Sequence, residues 1–179
     1  MIKRFFAVLA MAALLLPAQA QLIASWGSID ERYPADFGTP VRKGGVNSTV
    51  AWRGERVNFQ MLVANRQDTP ATPVNDREVS YRFSELKNGK NIIPATNVVG
   101  GFVQYVITDK FTGCGKHEVD AHGENLVADR ITDTNPAIVP MGGYRGLWLT
   151  VQVPQDAKPG TYKGYVELTC EGKTTKHSY

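Results

Sequence analysis

The stretch that decides the fold class is Glu55-Arg56-Val57-Asn58-Phe59-Gln60-Met61-Leu62-Val63. Every second residue from Val57 to Val63 is apolar, and the residues between are mainly polar. Because successive side chains of a β-strand point to opposite faces, this period of two is typical of a half-buried strand in an antiparallel sheet.

Two further stretches alternate in the same way, residues 79–83 (Val-Ser-Tyr-Arg-Phe) and residues 147–153 (Leu-Trp-Leu-Thr-Val-Gln-Val). We also predict strands over residues 161–170 and 174–179. Strands 147–153 and 161–170 should form a hairpin across a connection bounded by two prolines. No stretch after residue 20 has convincing helical periodicity.

Turn signals separate the strand-like stretches: Arg53-Gly54, Asn88-Gly89, Pro159-Gly160 and Glu171-Gly172. Many short strands with regular turns predict an all-β fold, an antiparallel two-sheet sandwich of the immunoglobulin-like kind. Residues 108–140 are polar and glycine-containing, and we interpret them as one long polar excursion from this sandwich.

The first twenty residues have the pattern of a cleaved signal peptide. Lys3 and Arg4 precede an apolar stretch, and Ala18-Gln19-Ala20 provides small residues for signal peptidase. The apolar stretch is too short to span a bilayer. We therefore predict a signal peptide at residues 1–20, a sandwich domain at residues 21–179, and export to the periplasm or the exterior of a bacterium.

The charge of the exported part argues against nucleic acid as a partner. Removing Lys3 and Arg4 lowers the formal net charge from +3 to +1, whereas a nucleic-acid-binding domain normally carries a strongly basic face. No later segment is apolar enough to predict a membrane span. At the C-terminus, the strand over residues 174–179 has little to pair with, so we expect the domain to be truncated there.

The chain has two cysteines, Cys114 and Cys170. Export to an oxidising compartment favours a disulfide between them, and two free thiols are the alternative. Cys114 with His117 and His122 matches no strong zinc spacing, so we predict no metal site.

No motif for catalysis or cofactor binding is present. The sequence has no G-x-S-x-G, no H-E-x-x-H and no glycine-rich phosphate loop. Asp30-Glu31 is an adjacent acid pair, the residue type used in glycoside hydrolysis, but Arg32 and Pro34 beside it indicate a solvated connection. We therefore predict no catalytic residue and no cofactor.

Three aromatic residues are candidates for an interface: Trp148, Trp52 and Tyr144. Trp148 lies on the strand face opposite Leu147 and Leu149, so it points outward if those two face the core. Exposed aromatic side chains usually mark contact with another domain. Cover for the sheet and stacking on a sugar ring are the alternatives.

Three segments together resemble a known family. They are Trp52-Arg53-Gly54-Glu55-Arg56-Val57-Asn58-Phe59-Gln60-Met61-Leu62-Val63, Asn125-Leu126-Val127-Ala128-Asp129, and residues 146–164 with the pattern V-P-x-x-A-x-P-G-x-Y-x-G. In this order they resemble the N-terminal β-sandwich domain of glycoside hydrolase family 123-like proteins, secreted bacterial enzymes acting on N-acetylgalactosamine-containing glycans.

The resemblance implies what an adjoining domain would do. In that family the sandwich precedes a (β/α)8 barrel, which carries an adjacent Asp and Glu for catalysis. Asp30-Glu31 does not match that position, so no catalytic role is carried over to it. The first hypothesis is thus a non-catalytic accessory domain of a β-N-acetylgalactosaminidase-like enzyme, packed against a barrel of the same polypeptide. The alternative is a stand-alone glycan- or protein-binding module.

Overall fold

The computed structural model describes residues 21–33, 45–66, 75–107 and 126–179. The predicted signal peptide lies outside these ranges, and β1 begins at Gln21. The strands in chain order are β1 (Gln21–Gly27), β2 (Arg56–Arg66), β3 (Arg77–Phe83), β4 (Leu86–Asn88), β5 (Asn91–Ile93), β6 (Val98–Ile107), β7 (Leu126–Thr132), β8 (Ala137–Val139), β9 (Tyr144–Gln152), β10 (Tyr165–Cys170) and β11 (Lys173–Ser178), with a 3₁₀ turn at Ala95–Asn97.

The strands form an antiparallel two-sheet sandwich, which confirms the predicted fold class. One sheet has the order β1-β2-β9-β6-β7 and the other β11-β10-β3-β8, while β4 and β5 form a separate hairpin. Every pairing is antiparallel. In the described residues, no helix has the length and hydrophobicity needed to cross a membrane.

The core lies between the two sheets and is built from the alternating apolar residues. Phe59, Met61 and Val63 of β2 are buried beside Leu147 and Leu149 of β9. The pairing register places Phe59 opposite Leu149 and Met61 opposite Leu147, so both strands point these side chains into one core. The alternation therefore identified the faces of these two strands that point into the core. Strand β2 is nevertheless buried on both faces from Phe59 to Asn65, so it is not the half-buried strand that the pattern predicted.

Two polar side chains join the sheets across this core. Tyr81 on β3 donates its hydroxyl to the carbonyl oxygen of Gly100 on β6, at 2.9 Å. Asn65 on β2 is fully buried, and its Nδ2 donates to the carbonyl oxygen of Val139 on β8, at 3.3 Å. Such paired polar groups avoid the cost of burying an unpaired donor.

The predicted hairpin between residues 147–153 and 161–170 is wrong. Strand β9 lies in the five-stranded sheet between β2 and β6, whereas β10 lies in the four-stranded sheet between β11 and β3. Both edges of β9 already carry a partner, so it has no free edge for β10. The proline-bounded connection instead crosses from one sheet to the other.

The predicted excursion over residues 108–140 is shorter than expected. Its later part contains β7, which pairs with β6, and β8, which pairs with β3. Residues 108–125 lie outside the described ranges. Strand β7 was missed because its apolar residues do not alternate with polar ones, and β8 was missed because it has only three residues.

The second face of the five-stranded sheet is also covered in part. Tyr33, Leu62, Ala64 and Tyr144 form a smaller buried cluster on this face. Gln60 is buried there too, and its amide nitrogen, in the orientation that satisfies it, donates to the carbonyl oxygens of Ser28 and Glu31 at 2.7 and 3.3 Å. Asp30-Glu31 therefore belongs to a loop that covers the sheet.

Candidate functional site

A groove of about 570 Å³ opens at one end of the sandwich. One wall is residues 48–53 and the other is residues 157–162; we call it the Trp52 groove. Its floor is apolar and reaches the core; the floor residues are Val57, Phe59, Leu86, Ile93, Val151, Val153 and Tyr179.

The first wall is held by a tight turn that leads into β2. The backbone N–H of Trp52 donates to the Glu55 carboxylate at 2.6 Å, and that of Glu55 donates to the Trp52 carbonyl oxygen at 3.2 Å. Gly54 has φ of +81°, a conformation that disfavours side chains. A Cβ there would also lie 2.2 Å from the Gln155 amide nitrogen, so glycine fits this turn on both counts.

The turn is attached to the end of β9. The backbone N–H of Gly54 donates to the carbonyl oxygen of Val153 at 3.0 Å, and the backbone N–H of Val153 donates to the carbonyl oxygen of Glu55 at 2.9 Å. The side chain of Gln152 donates to the Gly54 carbonyl oxygen at 3.1 Å and accepts from Arg56 Nε at 2.7 Å. These bonds fix the backbone of the turn, including that of Trp52, relative to the sheet.

The second wall is the connection that crosses between the sheets. Tyr162 donates its hydroxyl to the carbonyl oxygen of Lys158 at 3.0 Å, which closes the connection on itself. Lys163 and Lys87 exchange two backbone hydrogen bonds of 2.9 and 3.0 Å, which attach the connection to β4. Gly160 has φ of +145°, and a Cβ there would meet the Asn88 amide at 2.0 Å.

The groove is apolar with a cationic rim. Trp52 is 82% exposed and Val50 is 90% exposed. The described residues that line the groove include two charged side chains, Arg53 and Lys158, and both are cationic. A ligand or partner that presents an apolar group with nearby negative charge fits this chemistry best.

Residues 26–170 match the family model described as the glycoside hydrolase 123 N-terminal domain. The chain belongs to this family. The resemblance found in the sequence is thereby confirmed. Two of the segments that carried it, residues 52–63 and 146–164, contribute the two walls of the Trp52 groove.

A solved structure shares the fold of this glycoside hydrolase 123 N-terminal domain. It is a family 123 glycoside hydrolase from Clostridium perfringens, described in a study of glycolipid glycan hydrolysis. The TM-score is 0.71 and the identity 21%, over 88% of this chain and 26% of that one. The family 123 N-terminal domain thus spans about a quarter of its solved neighbour. No protein with a curated description matches the chain.

The three aromatic candidates do not lie together. Trp52 is exposed on the groove wall, whereas Trp148 is half-buried on the outer face of the five-stranded sheet, opposite Gln60. Tyr144 is 3% exposed, packed with Tyr33 and Leu62, so it is not available to a partner as a flat surface. Tyr144 was an interface candidate because it is aromatic, and nothing in the sequence indicated that Tyr33 and its loop cover it.

The disulfide between Cys114 and Cys170 stays a prediction, because only Cys170 is among the described residues. Cys170 is buried in β10, and burial raises the pKa of its thiol while the nearby Arg77 opposes this. Cys114, His117 and His122 lie outside the described residues. Within the ranges that the structure describes, no three His, Cys, Asp or Glu side chains gather as metal ligands would.

Sequence reasoning missed several groove residues. Tyr179 had been assigned to a terminal strand, yet its ring is in the groove floor and packs on Phe59 with centroids 5.5 Å apart. Val50 and Pro159 carried no signal beyond being apolar or turn-forming. The Arg53-Gly54 and Pro159-Gly160 turn signals were present, but nothing in the sequence indicated that they face each other.

Proposed function

We propose that this chain is the non-catalytic N-terminal accessory domain of an exported family 123 glycoside hydrolase. The main support for this proposal is the match of residues 26–170 to the family model. The chain covers 26% of a neighbouring family 123 enzyme, which leaves room for a separate catalytic domain in the same polypeptide. The accessory domain packs against that catalytic (β/α)8 barrel and holds it in place.

The proposed substrate class is N-acetylgalactosamine-containing glycans, with β-N-acetylgalactosaminidase-like hydrolysis in the barrel. The resemblance of residues 52–63, 125–129 and 146–164 to the family supports this. The study of the Clostridium perfringens neighbour concerns glycolipid glycan hydrolysis by that protein. Export follows from the predicted signal peptide at residues 1–20.

The proposal is tested on the native gene product secreted by its own cell. We expect intact-protein mass spectrometry to find a product tens of kilodaltons heavier than this chain, starting at Gln21. We expect the same sample to hydrolyse an aryl N-acetyl-β-galactosaminide. A secreted product that matches residues 21–179 in mass, or a heavier one without this activity, contradicts the proposal.

The second candidate is a stand-alone glycan-binding module, and the exposed Trp52 on the groove wall favours it. Aromatic rings with a free face are suited to stacking on sugars. This candidate predicts oligosaccharide affinity that Trp52→Ala abolishes without changing the melting temperature. Trp148→Ala is the matched control, because Trp148 lies on the outer sheet face away from the groove.

A further inference from the structure

Several of the most exposed large hydrophobic side chains of the described residues lie in one segment, residues 46–52. Val50 and Trp52 are the two most exposed large hydrophobic residues of the described ranges, and Val46 on the same segment is 54% exposed. Val50 and Trp52 also line one wall of the Trp52 groove, and exposed apolar side chains beside a groove mark an interaction surface.

The backbone that carries Trp52 is held in a fixed position. The backbone N–H of Trp52 donates to the Glu55 carboxylate, and the turn is attached to β9 through Gln152 and Val153. A backbone segment already ordered in its binding position loses little conformational entropy when a partner covers it. The facing wall, at Lys158 and Tyr162, is likewise closed by a hydrogen bond of 3.0 Å.

The groove adjoins residues 171–179, which follow the region that matches the family. The family match ends at Cys170, after which β11 returns along β10 and brings Tyr179 into the groove floor. The family's description places it N-terminal in its polypeptides, so a following domain is connected through this segment. Because both domains belong to one polypeptide, the following domain is held at a high effective concentration near the groove.

We propose that the Trp52 groove is the docking surface for the domain that follows in the same polypeptide. An apolar side chain of that domain lies between Trp52 and Tyr162, and acidic side chains beside it face Arg53 and Lys158. This inference rests on the proposed function and adds to it the surface and the chemistry of the contact.

The first test is hydroxyl-radical footprinting of the full-length secreted protein. Trp52 is expected to be oxidised at least about tenfold more slowly than in the same protein after unfolding, because the centre of an interface excludes water. Met141, 50% exposed and remote from the groove lining, is the internal control and should stay reactive. Rapid oxidation of Trp52 in the folded protein overturns the inference.

The second test uses a protease site inserted after Tyr179 in the full-length protein. After cleavage the two parts should stay associated on size exclusion. Trp52→Asp should weaken that association by about thirtyfold or more, the effect of losing a hot-spot tryptophan. Ile138→Asp is the matched control, since Ile138 is 48% exposed on β8 in the other sheet and lies outside the groove lining.

The outcomes separate this inference from the proposed function. If the heavy product hydrolyses the aryl glycoside but Trp52 is reactive and Trp52→Asp leaves association unchanged, the docking surface is wrong and the accessory role stands. If the product is not a hydrolase, the proposed function fails first. Protection of Trp52 only on adding oligosaccharide, or only at concentrations that form dimers, also overturns the inference.

Discussion

Tyr179 and Gly164 exchange two backbone hydrogen bonds of 3.0 Å each, and the ring of Tyr179 lies over the position where Gly164 lacks a side chain. The ring also packs edge-on against Trp26 with centroids 6.0 Å apart. The segment after β11 is thereby joined to the connection between β9 and β10. A core contact at Tyr179 was not expected from an apparently incomplete terminal strand.

Gly164→Ala should destabilise the domain by about 1–3 kcal/mol, the usual cost of inserting a methyl group into a packed site. The added Cβ would lie 2.9 Å from Leu86 Cγ and 3.1 Å from Tyr179 Cζ. Urea denaturation measures the change. In the Tyr179→Leu background the cost should fall, because the ring is absent; equal costs in both backgrounds would show that ring and glycine are not coupled.

Tyr179→Phe should leave stability unchanged or raise it by up to about 1 kcal/mol, because a buried hydroxyl without a partner carries an uncompensated desolvation cost. The Tyr179 hydroxyl is buried with no hydrogen-bond partner among the described residues, and burial raises its pKa. Tyr179→Ala should instead cost about 3–5 kcal/mol through loss of the ring. Thermal denaturation of both variants checks this; a marked loss in Tyr179→Phe would reveal a bonded hydroxyl.

His177 should make stability depend on pH just below its ordinary pKa of 6.5. Burial lowers the pKa of His177 in the folded chain, so the unfolded chain binds the proton more readily. Its contribution is complete above pH 6.5 and is lost as the pH falls toward the lower folded value. His177→Gln should flatten this part of the stability profile, measured by urea denaturation between pH 5 and 8. An unchanged slope would contradict the prediction.

Glu167 should contribute to acid sensitivity at lower pH. Hydrogen bonds from Arg82 (Nε–Oε2 2.7 Å) and from Lys176 (Nζ–Oε1 3.1 Å) lower the pKa of the Glu167 carboxyl below its ordinary 4.5, while burial opposes them. The stabilisation is present above pH 4.5 and is lost as the pH falls through the lowered value. Acid titration followed by circular dichroism should show a shallower loss of structure in Glu167→Gln. A profile identical to the parent would exclude this role.

How much of the architecture the sequence predicts depends on the strand. Strands β2, β3 and β9 were predicted because each has one apolar and one polar face. Strand β6 carries Gly100-Gly101, where an added Cβ would fall within 2.0 Å of neighbouring backbone oxygens. The close approach of β9 and β7 that requires these glycines has no signal in the sequence.

The candidate site was less accessible to prediction than the strands. Its turns were identified at Arg53-Gly54 and Pro159-Gly160, and Trp52 was among the interface candidates. The two turns face each other because β9 is paired on both edges. The chain after β9 therefore crosses to the other sheet, and this crossing places the second turn opposite the first. Trp148 and Tyr144 were grouped with Trp52 because the sequence records which side chains are aromatic and not what covers them.

The sequence by itself determined the all-β class, the inward faces of β2 and β9, and the family to which residues 26–170 belong. These are properties of residue type and local spacing, since the alternation of side chains along a strand needs no knowledge of its neighbours. Only the tertiary structure decided that β9 and β10 lie in different sheets, that Tyr144 is buried, and that Trp52 is exposed beside a groove. Those outcomes depend on which strand edges and faces are already occupied by residues far away in the chain. Contacts between distant residues produce no periodic pattern in the sequence.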